Sequence, residues 1–381
     1  MLIGIDGNEA NTSKRLGVGE YAYELLMQFS ALCHSREGGN PDHKFLIYLK
    51  NEPLPTMPKP SNNLKYRILK PKKLWTQWRL PLDLYLHNPR PDVFFTPTHY
   101  APRFSSVPTV ITILDLAYLY FPEMFKKTDL YKLKNWTAHS VRNAKRIITI
   151  SQSTKNDIIK EYQIPEEKII VVYPGVKPTV YPQPQSFTMD TLQSKYKISK
   201  NFILFVGTLQ PRKNISRLIE AFAKTLTQKE TPHDLQLVIV GKKGWLYEDI
   251  IKKPTELGIE EKVKFLDFIT DDELATFYKN AICYVLPSLY EGFGLPVLEA
   301  MQHDCPVITS NVSSLPEAGG DAALYINPKD ASDIALKINI LIKNEQLRKE
   351  LIKKGKKQAA KFSWEKTAKE TLKILENSIL I

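Results

Sequence analysis

At 381 residues the chain is too long for one ordinary hydrophobic core, so two domains are expected. Its composition, 43% hydrophobic and 25% charged, is that of a soluble globular protein, and its best apolar run, Val110 to Phe121, is too short for a membrane span and contains Asp115. The net charge of +12 is unevenly placed: 16 Lys and Arg against 5 Asp and Glu fall between Lys59 and Arg146.

The opening Met-Leu-Ile-Gly-Ile-Asp reads as a first strand, Leu2–Asp6. It has neither the charged leader nor the cleavage site of a signal peptide. Gly17-Val-Gly19 comes next, ahead of helical periodicity over Glu20–Leu32. Glycines between a first strand and its helix let backbone approach a ligand, although position 22 is Ala and the full dinucleotide fingerprint is absent. Taken alone, the pair is equally a ligand loop or a tight turn. Cys33–His43 and the Pro-rich Asn51–Asn63 read as surface loops. Short apolar runs at Phe45–Leu49, Val93–Thr96, Val110–Leu114, Ile147–Ile150 and Ile169–Val172 alternate with helical stretches. That alternation predicts a parallel sheet with both faces covered.

Residues Pro174–Ser199 contain four prolines up to Pro184 and no clear strand, which places a domain boundary there. The alternation then restarts. Strands are expected at Phe202–Val206, Leu235–Val240, Val263–Leu266 and Val307–Thr309, with Ala281–Leu286 leading into an acidic motif. Helices are expected at Ser216–Leu226, Asp272–Asn280 and Ala331–Leu341. The fold class is therefore α/β, with two tandem Rossmann-like, doubly wound domains facing an interdomain cleft. The domains run over 1–180 and 201–360 with a linker at 181–200. A last periodic helix, Trp364–Leu375 within 361–381, is expected to pack back toward the first domain. Three cysteines, Cys33, Cys283 and Cys305, fit neither a zinc site nor a disulfide framework, which points to a reducing cytoplasm.

Within the basic stretch, Lys70, Lys72, Lys73 and Arg79 are interleaved with Trp75 and Trp78. Two readings stand. One is a solvated basic face around core tryptophans. The other is peripheral contact with an anionic membrane, which attracts cations beside indoles. Nucleic acid is not expected as a partner, since no nucleic-acid motif accompanies the charge.

The most informative segment is Glu291-Gly-Phe-Gly-Leu-Pro-Val-Leu-Glu299. A helix accepts Pro in its first turn, so a loop ends at Gly294 and a helix opens at Leu295. The free N–H groups of that turn form an anion site. A phosphate cradle with a carboxylate on each side suits a nucleotide-sugar. Gly207-Thr-Leu-Gln-Pro-Arg212-Lys213-Asn214 directly follows a predicted strand, so its cations stand at a strand's carboxyl end, where ligands of such sheets bind. A departing nucleoside diphosphate needs positive charge there. The sequence has no Asp-x-Asp pair to hold a metal, and the two cations are its natural substitute.

These segments together resemble a GT-B glycosyltransferase of family 4. The similarity continues through Leu237-Val-Ile-Val-Gly-Lys-Lys-Gly-Trp245, Pro306-Val-Ile-Thr-Ser310 and Pro316-Glu-Ala-Gly-Gly-Asp-Ala-Ala323, and is nearest to bacterial mannosyltransferases of O-antigen and capsule assembly. The resemblance implies that Arg212 and Lys213 hold the donor diphosphate and that Glu299 binds the ribose hydroxyls. It gives Glu291 and the backbone of Phe293, Gly294 and Leu295 the sugar hydroxyls and the distal phosphate. Gly17 and Gly19 would let the first loop close on the donor. Gly207 and Lys242 join the donor-binding set, with base selection near Lys242 and 268–270. Transfer is expected to retain configuration, to need no metal or other cofactor, and to use GDP-mannose as first choice of donor. The expected acceptor is a lipid-linked or lipopolysaccharide oligosaccharide.

One position departs from the family. Where relatives carry His-Asp, this chain reads Leu114-Asp115. Leucine can neither exchange a proton nor bind a hydroxyl, so Asp115, and His99 on the acceptor side, are expected to supply polar contacts. The catalytic set is then Glu291, Arg212, Lys213 and Asp115. The alternatives are a nucleotide-sugar binding protein that has lost turnover with its histidine, and another enzyme of the same architecture, such as an epimerase or a phosphorylase.

Overall fold

Short runs of β-branched and aromatic residues set the frame of this protein. Val93–Thr96 and Thr109–Ile113 are buried at every residue, and Phe202–Val206 at all but the last. A strand buried on both faces needs helices on both sides, and therefore takes parallel partners joined by crossovers. The computed structural model describes residues 1–15, 17–34, 43–177, 188–267 and 269–379, and shows this arrangement twice. One unit comprises Met1–Gly175 with Ser363–Ile381, the other Val176–Phe362.

The first unit runs β1 (Leu2–Asp6), α1 (Val18–His34), β2 (Lys44–Leu49), β3 (Leu64–Ile68), a π-helical turn (Trp75–Arg79) continuing into α2 (Leu80–Leu86), and β4 (Val93–Thr96). It goes on through β5 (Thr109–Ile113), α3 (Ala117–Tyr120), α4 (Lys127–Asn143), β6 (Arg146–Thr149), α5 (Gln152–Tyr162) and β7 (Ile169–Val171). The strands are parallel, in the order β3-β2-β1-β4-β5-β6-β7. The order reverses between β1 and β4, where Ile3 pairs with Val93. A crevice outside the carboxyl ends of the strands at such a reversal is where ligands of these sheets bind.

The second unit runs α6 (Met189–Tyr196), β8 (Phe202–Val206), α7 (Ile215–Leu226), β9 (Gln236–Val240), α8 (Glu248–Glu256), β10 (Val263–Leu266) and α9 (Asp271–Asn280). Then follow β11 (Cys283–Leu286), α10 (Leu295–Gln302), β12 (Val307–Ser310), α11 (Leu315–Gly319), β13 (Ala323–Ile326), α12 (Ala331–Lys343) and α13 (Glu345–Ala359). Its sheet order is β10-β9-β8-β11-β12-β13, again parallel, with the reversal between β8 and β11. Helix α7 buries Ile215, Leu218, Ile219 and Phe222, spaced for one helical face, and packs against α12. The final helix, α14 (Trp364–Asn377), belongs to the first unit and packs on α1.

Several expectations need correcting. Residues 189–196, assigned to a linker over 181–200, form α6. Thr188 caps that helix reciprocally with Thr191, and Lys195 and Tyr196 bind Glu273 at 2.5 and 2.9 Å. Residues 178–187 of the same segment, most of the loop at 33–43, and Phe268 lie outside the described residues. The units divide after Gly175 and Phe362, not at 180 and 360. Strands β3 and β13 and the helical segment 75–86 were not foreseen.

Candidate active site

The site of the second unit grows from the carboxyl ends of β8 and β11. Gly207 leaves β8 with φ of 155°, and its N–H donates to Val240 O at 2.9 Å. Gly241, at the end of β9, lies so close that a Cβ would stand 2.0 Å from Gly207 O. Glycine at 241 is therefore a packing requirement, set by close backbone approach. Leu209 N–H donates to Lys242 O at 2.9 Å, which holds half-buried Lys242 beside the outgoing chain.

Pro211–Lys213 then make a 3-10 turn that ends at Asn214 in the left-handed region, φ 57°. Asparagine tolerates that conformation better than most residues. Its Nδ2 donates to Pro287 O at 3.0 Å and to Pro328 O at 2.6 Å, tying the loops after β8, β11 and β13 together. Leu289 N–H donates to Arg212 O at 2.9 Å.

Held this way, Arg212 and Lys213 meet Glu291. Lys213 Nζ donates to Glu291 Oε1 at 2.5 Å, and Ser288 Oγ to the same oxygen at 2.6 Å. Arg212 Nη1 donates to Glu291 Oε2 at 3.1 Å and to Tyr290 O. The backbone of Glu291 is fixed as well: its N–H donates to Ser313 Oγ at 3.0 Å, and its C=O accepts from Ser314 Oγ at 2.9 Å. Burial by itself would push the Glu291 carboxyl up, but the Lys213 and Arg212 charges outweigh it and hold it at about 2. Two cations against one carboxylate leave the trio with a net positive charge. The hydrogen bonds named take three of about four lone-pair positions on the carboxylate.

Four residues further on, α10 opens. Gly294 stands just before it with φ 109°, where a Cβ would lie 2.8 Å from Leu315 Cδ2, and Pro296 falls in the first turn. Pro296 brings no N–H to that turn, and Val297 N–H donates to Gly294 O at 2.9 Å, so any anion at this helix start would be met by the N–H groups just ahead of it. Phe293 is buried, its ring edge-on to Phe362 at 5.3 Å. Glu299, half-buried one turn into α10, accepts from Tyr278 OH at 3.4 Å.

In the first unit, the expected residues gather at the reversal of that sheet. Gly17 has φ 48°, which favours glycine, while a Cβ on Gly19 would come within 2.9 Å of Glu9 O. His99 follows β4, and Leu114-Asp115 follow the neighbouring β5. Leu114 is buried, and its C=O accepts from Thr154 Oγ1 at 3.3 Å. Asp115 Oδ1 accepts from Ala117 N–H at 3.0 Å, an Asx turn that opens α3. His99 is half-buried, with its Nδ1 enclosed and without a hydrogen-bond partner. Burial lowers its pKa against the opposing pull of the Asp115 charge, which favours a neutral ring at pH 7.

The structure thus joins Arg212, Lys213 and Glu291 in one hydrogen-bonded group, with the opening of α10 following in the same loop. Gly17, Gly19, His99 and Asp115 belong to the other unit. Sequence reasoning missed Ser288, Ser313, Ser314 and Asn214. Only Asn214, closing the Pro-Arg-Lys turn, carries a local signal.

Two parallel sheets with crossover helices, and charged loops at the reversal of the second, define the class: a two-domain α/β protein of the GT-B type. Residues 189–358 match the family profile "Glycosyl transferases group 1", and residues 17–180 match "Glycosyltransferase Family 4". The chain is 30% identical to O-antigen chain mannosyltransferase B of Escherichia coli, over 97% of this chain and 95% of that one. Among solved structures it resembles sucrose-phosphate synthase from Thermosynechococcus elongatus, with TM-score 0.75, 17% identity and coverage of 99 and 98%. It also resembles Anabaena HepE in complex with UDP and glucose, with TM-score 0.72, 20% identity and coverage of 98 and 99%. The chain belongs to glycosyltransferase family 4 and is a glycosyltransferase with the GT-B fold.

Proposed function

We propose that this enzyme transfers mannose from GDP-mannose to a saccharide acceptor, lipid-linked or part of a lipopolysaccharide, with retention of configuration and without a bound metal. The observation that carries the proposal is the Arg212–Lys213–Glu291 group, whose net positive charge stands at the carboxyl end of β8. The choice of mannose, and of an oligosaccharide acceptor, draws on the likeness to an O-antigen mannosyltransferase that spans nearly the whole chain.

In the reaction, the bond from the anomeric carbon to the diphosphate oxygen breaks and a bond to the acceptor oxygen forms. The acceptor proton passes to the departing diphosphate. Negative charge grows on that diphosphate, and Arg212 and Lys213 stabilise it from fixed positions, where electrostatic help is greatest. Glu291 holds both cations in place and has about one acceptor position left for a sugar hydroxyl. The N–H groups of Phe293, Gly294 and Leu295 suit the distal phosphate. Glu299 suits the ribose hydroxyls. Gly17 and Gly19 would admit the donor to the first loop.

A second reading has one observation in its favour. Leu114, where the family resemblance implies a histidine, is buried and apolar, so donor binding could outlast turnover. Calorimetry with GDP-mannose, UDP-glucose and UDP-N-acetylglucosamine, each with EDTA, tests the donor and the metal together. Micromolar binding of GDP-mannose alone supports the proposal. Binding of another donor, or binding that requires a divalent ion, overturns that part of it. Binding with neither transfer nor hydrolysis of the donor favours the second reading.

A further inference from the structure

Tyr278 is buried near the end of α9, and among the described residues its hydroxyl has one hydrogen-bond partner, the carboxylate of Glu299 on α10. Tyr278 OH donates to Glu299 Oε2 at 3.4 Å. Burial, and then the Glu299 charge, push the phenol well above its ordinary pKa, so it keeps its proton and acts as the donor. Phenylalanine would fill the same apolar space. The hydroxyl is therefore set apart by what it does to Glu299.

The ring that carries it is held on two sides. It lies edge-on to the Tyr284 ring at 5.6 Å and is stacked on the His303 ring at 5.8 Å, with 20° between the planes. His303 is tied to Glu299 in turn. Its backbone N–H donates to Glu299 O at 3.2 Å, and its Nδ1 lies 2.8 Å from the same oxygen. A carbonyl only accepts, so Nδ1 carries the proton. Glu299 is thus gripped at its carbonyl by His303 and at its carboxylate by Tyr278, and the two gripping rings stack on one another. Tyr284 reaches the other way: its OH donates to Val206 O at 3.3 Å, just ahead of Gly207 and the turn that carries Arg212 and Lys213. The two phenols join that turn to the carboxylate of α10.

Glutamate has a long, rotatable side chain, and ordering it when a ligand binds costs entropy. A fixed donor on one carboxylate oxygen selects the orientation beforehand. A site built in this way to hydrogen-bond a hydroxyl rejects the analogue that lacks it, because its own polar group is then left unpaired.

We propose that Tyr278 is a positioning residue for donor recognition: it aims the Glu299 carboxylate at the ribose, so that the site selects ribonucleoside diphosphates over the counterparts that lack the 2′- or 3′-hydroxyl. The inference rests on the reading of Glu299 as the ribose-binding residue. It does not depend on which base the donor carries.

The test is calorimetry of the full chain with GDP, 2′-deoxy-GDP and 3′-deoxy-GDP, and with UDP and its two deoxy counterparts. For the base that binds, wild type should prefer the ribonucleotide roughly tenfold or more over at least one deoxy form. Tyr278→Phe keeps the ring and should lower affinity for the ribonucleotide roughly fivefold, while affinity for that deoxy form moves by less than about twofold. Glu299→Gln should reduce the same preference, and adding Tyr278→Phe to it should cost little more, because the two residues act through one contact. Loss of one hydroxyl leaves the packing in place, so the variants are expected to fold, and circular dichroism checks this. A wild-type preference for ribose that Tyr278→Phe leaves intact overturns this inference alone. So does an equal loss of affinity for ribo and deoxy forms, which would give the hydroxyl a merely structural role. A wild type without preference for ribose, or a preference that Glu299→Gln leaves intact, overturns the reading of Glu299 and this inference with it.

Discussion

Glu291 shows how a single carboxylate organises the site. Its pKa of about 2 in the folded protein lies below its ordinary 4.5. A depressed carboxylate contributes stability that is complete above about pH 4.5 and is lost as the pH falls toward 2. In Glu291→Gln that contribution is absent. The stability gap between wild type and variant should therefore be constant from pH 7 to about pH 5 and narrow below that. Urea unfolding at pH 7, 5, 4 and 3 measures this, and a gap that stays constant to pH 3 contradicts the pairing. Lys213→Ala leaves the same buried carboxylate with one cation. It should cost about 3 kcal/mol of stability and about a hundredfold in kcat/KM, read from thermal melts and initial rates. Leu114→His tests the family departure: turnover should rise or stay level, and a clear drop in a folded variant would show that leucine is the functional residue there. Arg212, Lys213 and Glu291 were legible because each belongs to a motif at a strand end or ahead of a helix. Ser288 was not, although it lies only three residues before Glu291. Ser313 and Ser314, 22 and 23 residues beyond Glu291, were not either. They have a role only once the loops after β11 and β12 lie side by side, and serine spacing carries no record of that.

Among elements, legibility followed burial. Strand β8 was read at its observed bounds, since Phe-Ile-Leu-Phe-Val is a continuous apolar run between turn residues. The two unforeseen strands, β3 and β13, are both at sheet edges and are only partly buried. In β3, Leu-Lys-Tyr-Arg-Ile places charge between its apolar residues, as an edge strand should, and forms no continuous apolar run. The segment 75–86 escaped for the opposite reason. Apolar residues on both its sides blur the helical period, so neither tryptophan could be assigned a side. The structure divides them, with Trp75 buried and Trp78 exposed. A very tight contact between elements is that of Gly241 on Gly207, at the ends of β9 and β8. With 2.0 Å available from Cβ to oxygen, Gly241→Ala must part the two strand ends and move the turn that holds Arg212 and Lys213. Donor affinity should fall at least tenfold while far-ultraviolet circular dichroism stays native-like. Unchanged affinity in calorimetry would mean that the turn is positioned independently of β9.

At the scale of the whole molecule, the chain leaves its first unit at Gly175 and re-enters it at Ser363. The periodic apolar positions after Trp364 required a partner, which the sequence placed in the first domain without naming the surface. In the structure the partner is α1 and the segment leading to Gly175. Trp364 is buried edge-on to Tyr21 at 5.7 Å, and Thr367 Oγ1 donates to Tyr173 O at 2.8 Å. A Cβ on Gly175 would stand 2.0 Å from Trp364 N, so the incoming and outgoing strands of chain touch. The last helix therefore completes the core of the first unit. Trp364→Ala opens a cavity in that core and should cost about 3 to 5 kcal/mol, confined to the first unit. Hydrogen exchange resolved by peptide separates the units. Protection should drop across α1 and β1, while β8, β9 and β11 keep theirs, because local stability follows the cooperative unit to which an element belongs. Equal loss across both units would show that they unfold as one, and that the last helix supports the site of the second unit as directly as the core of the first.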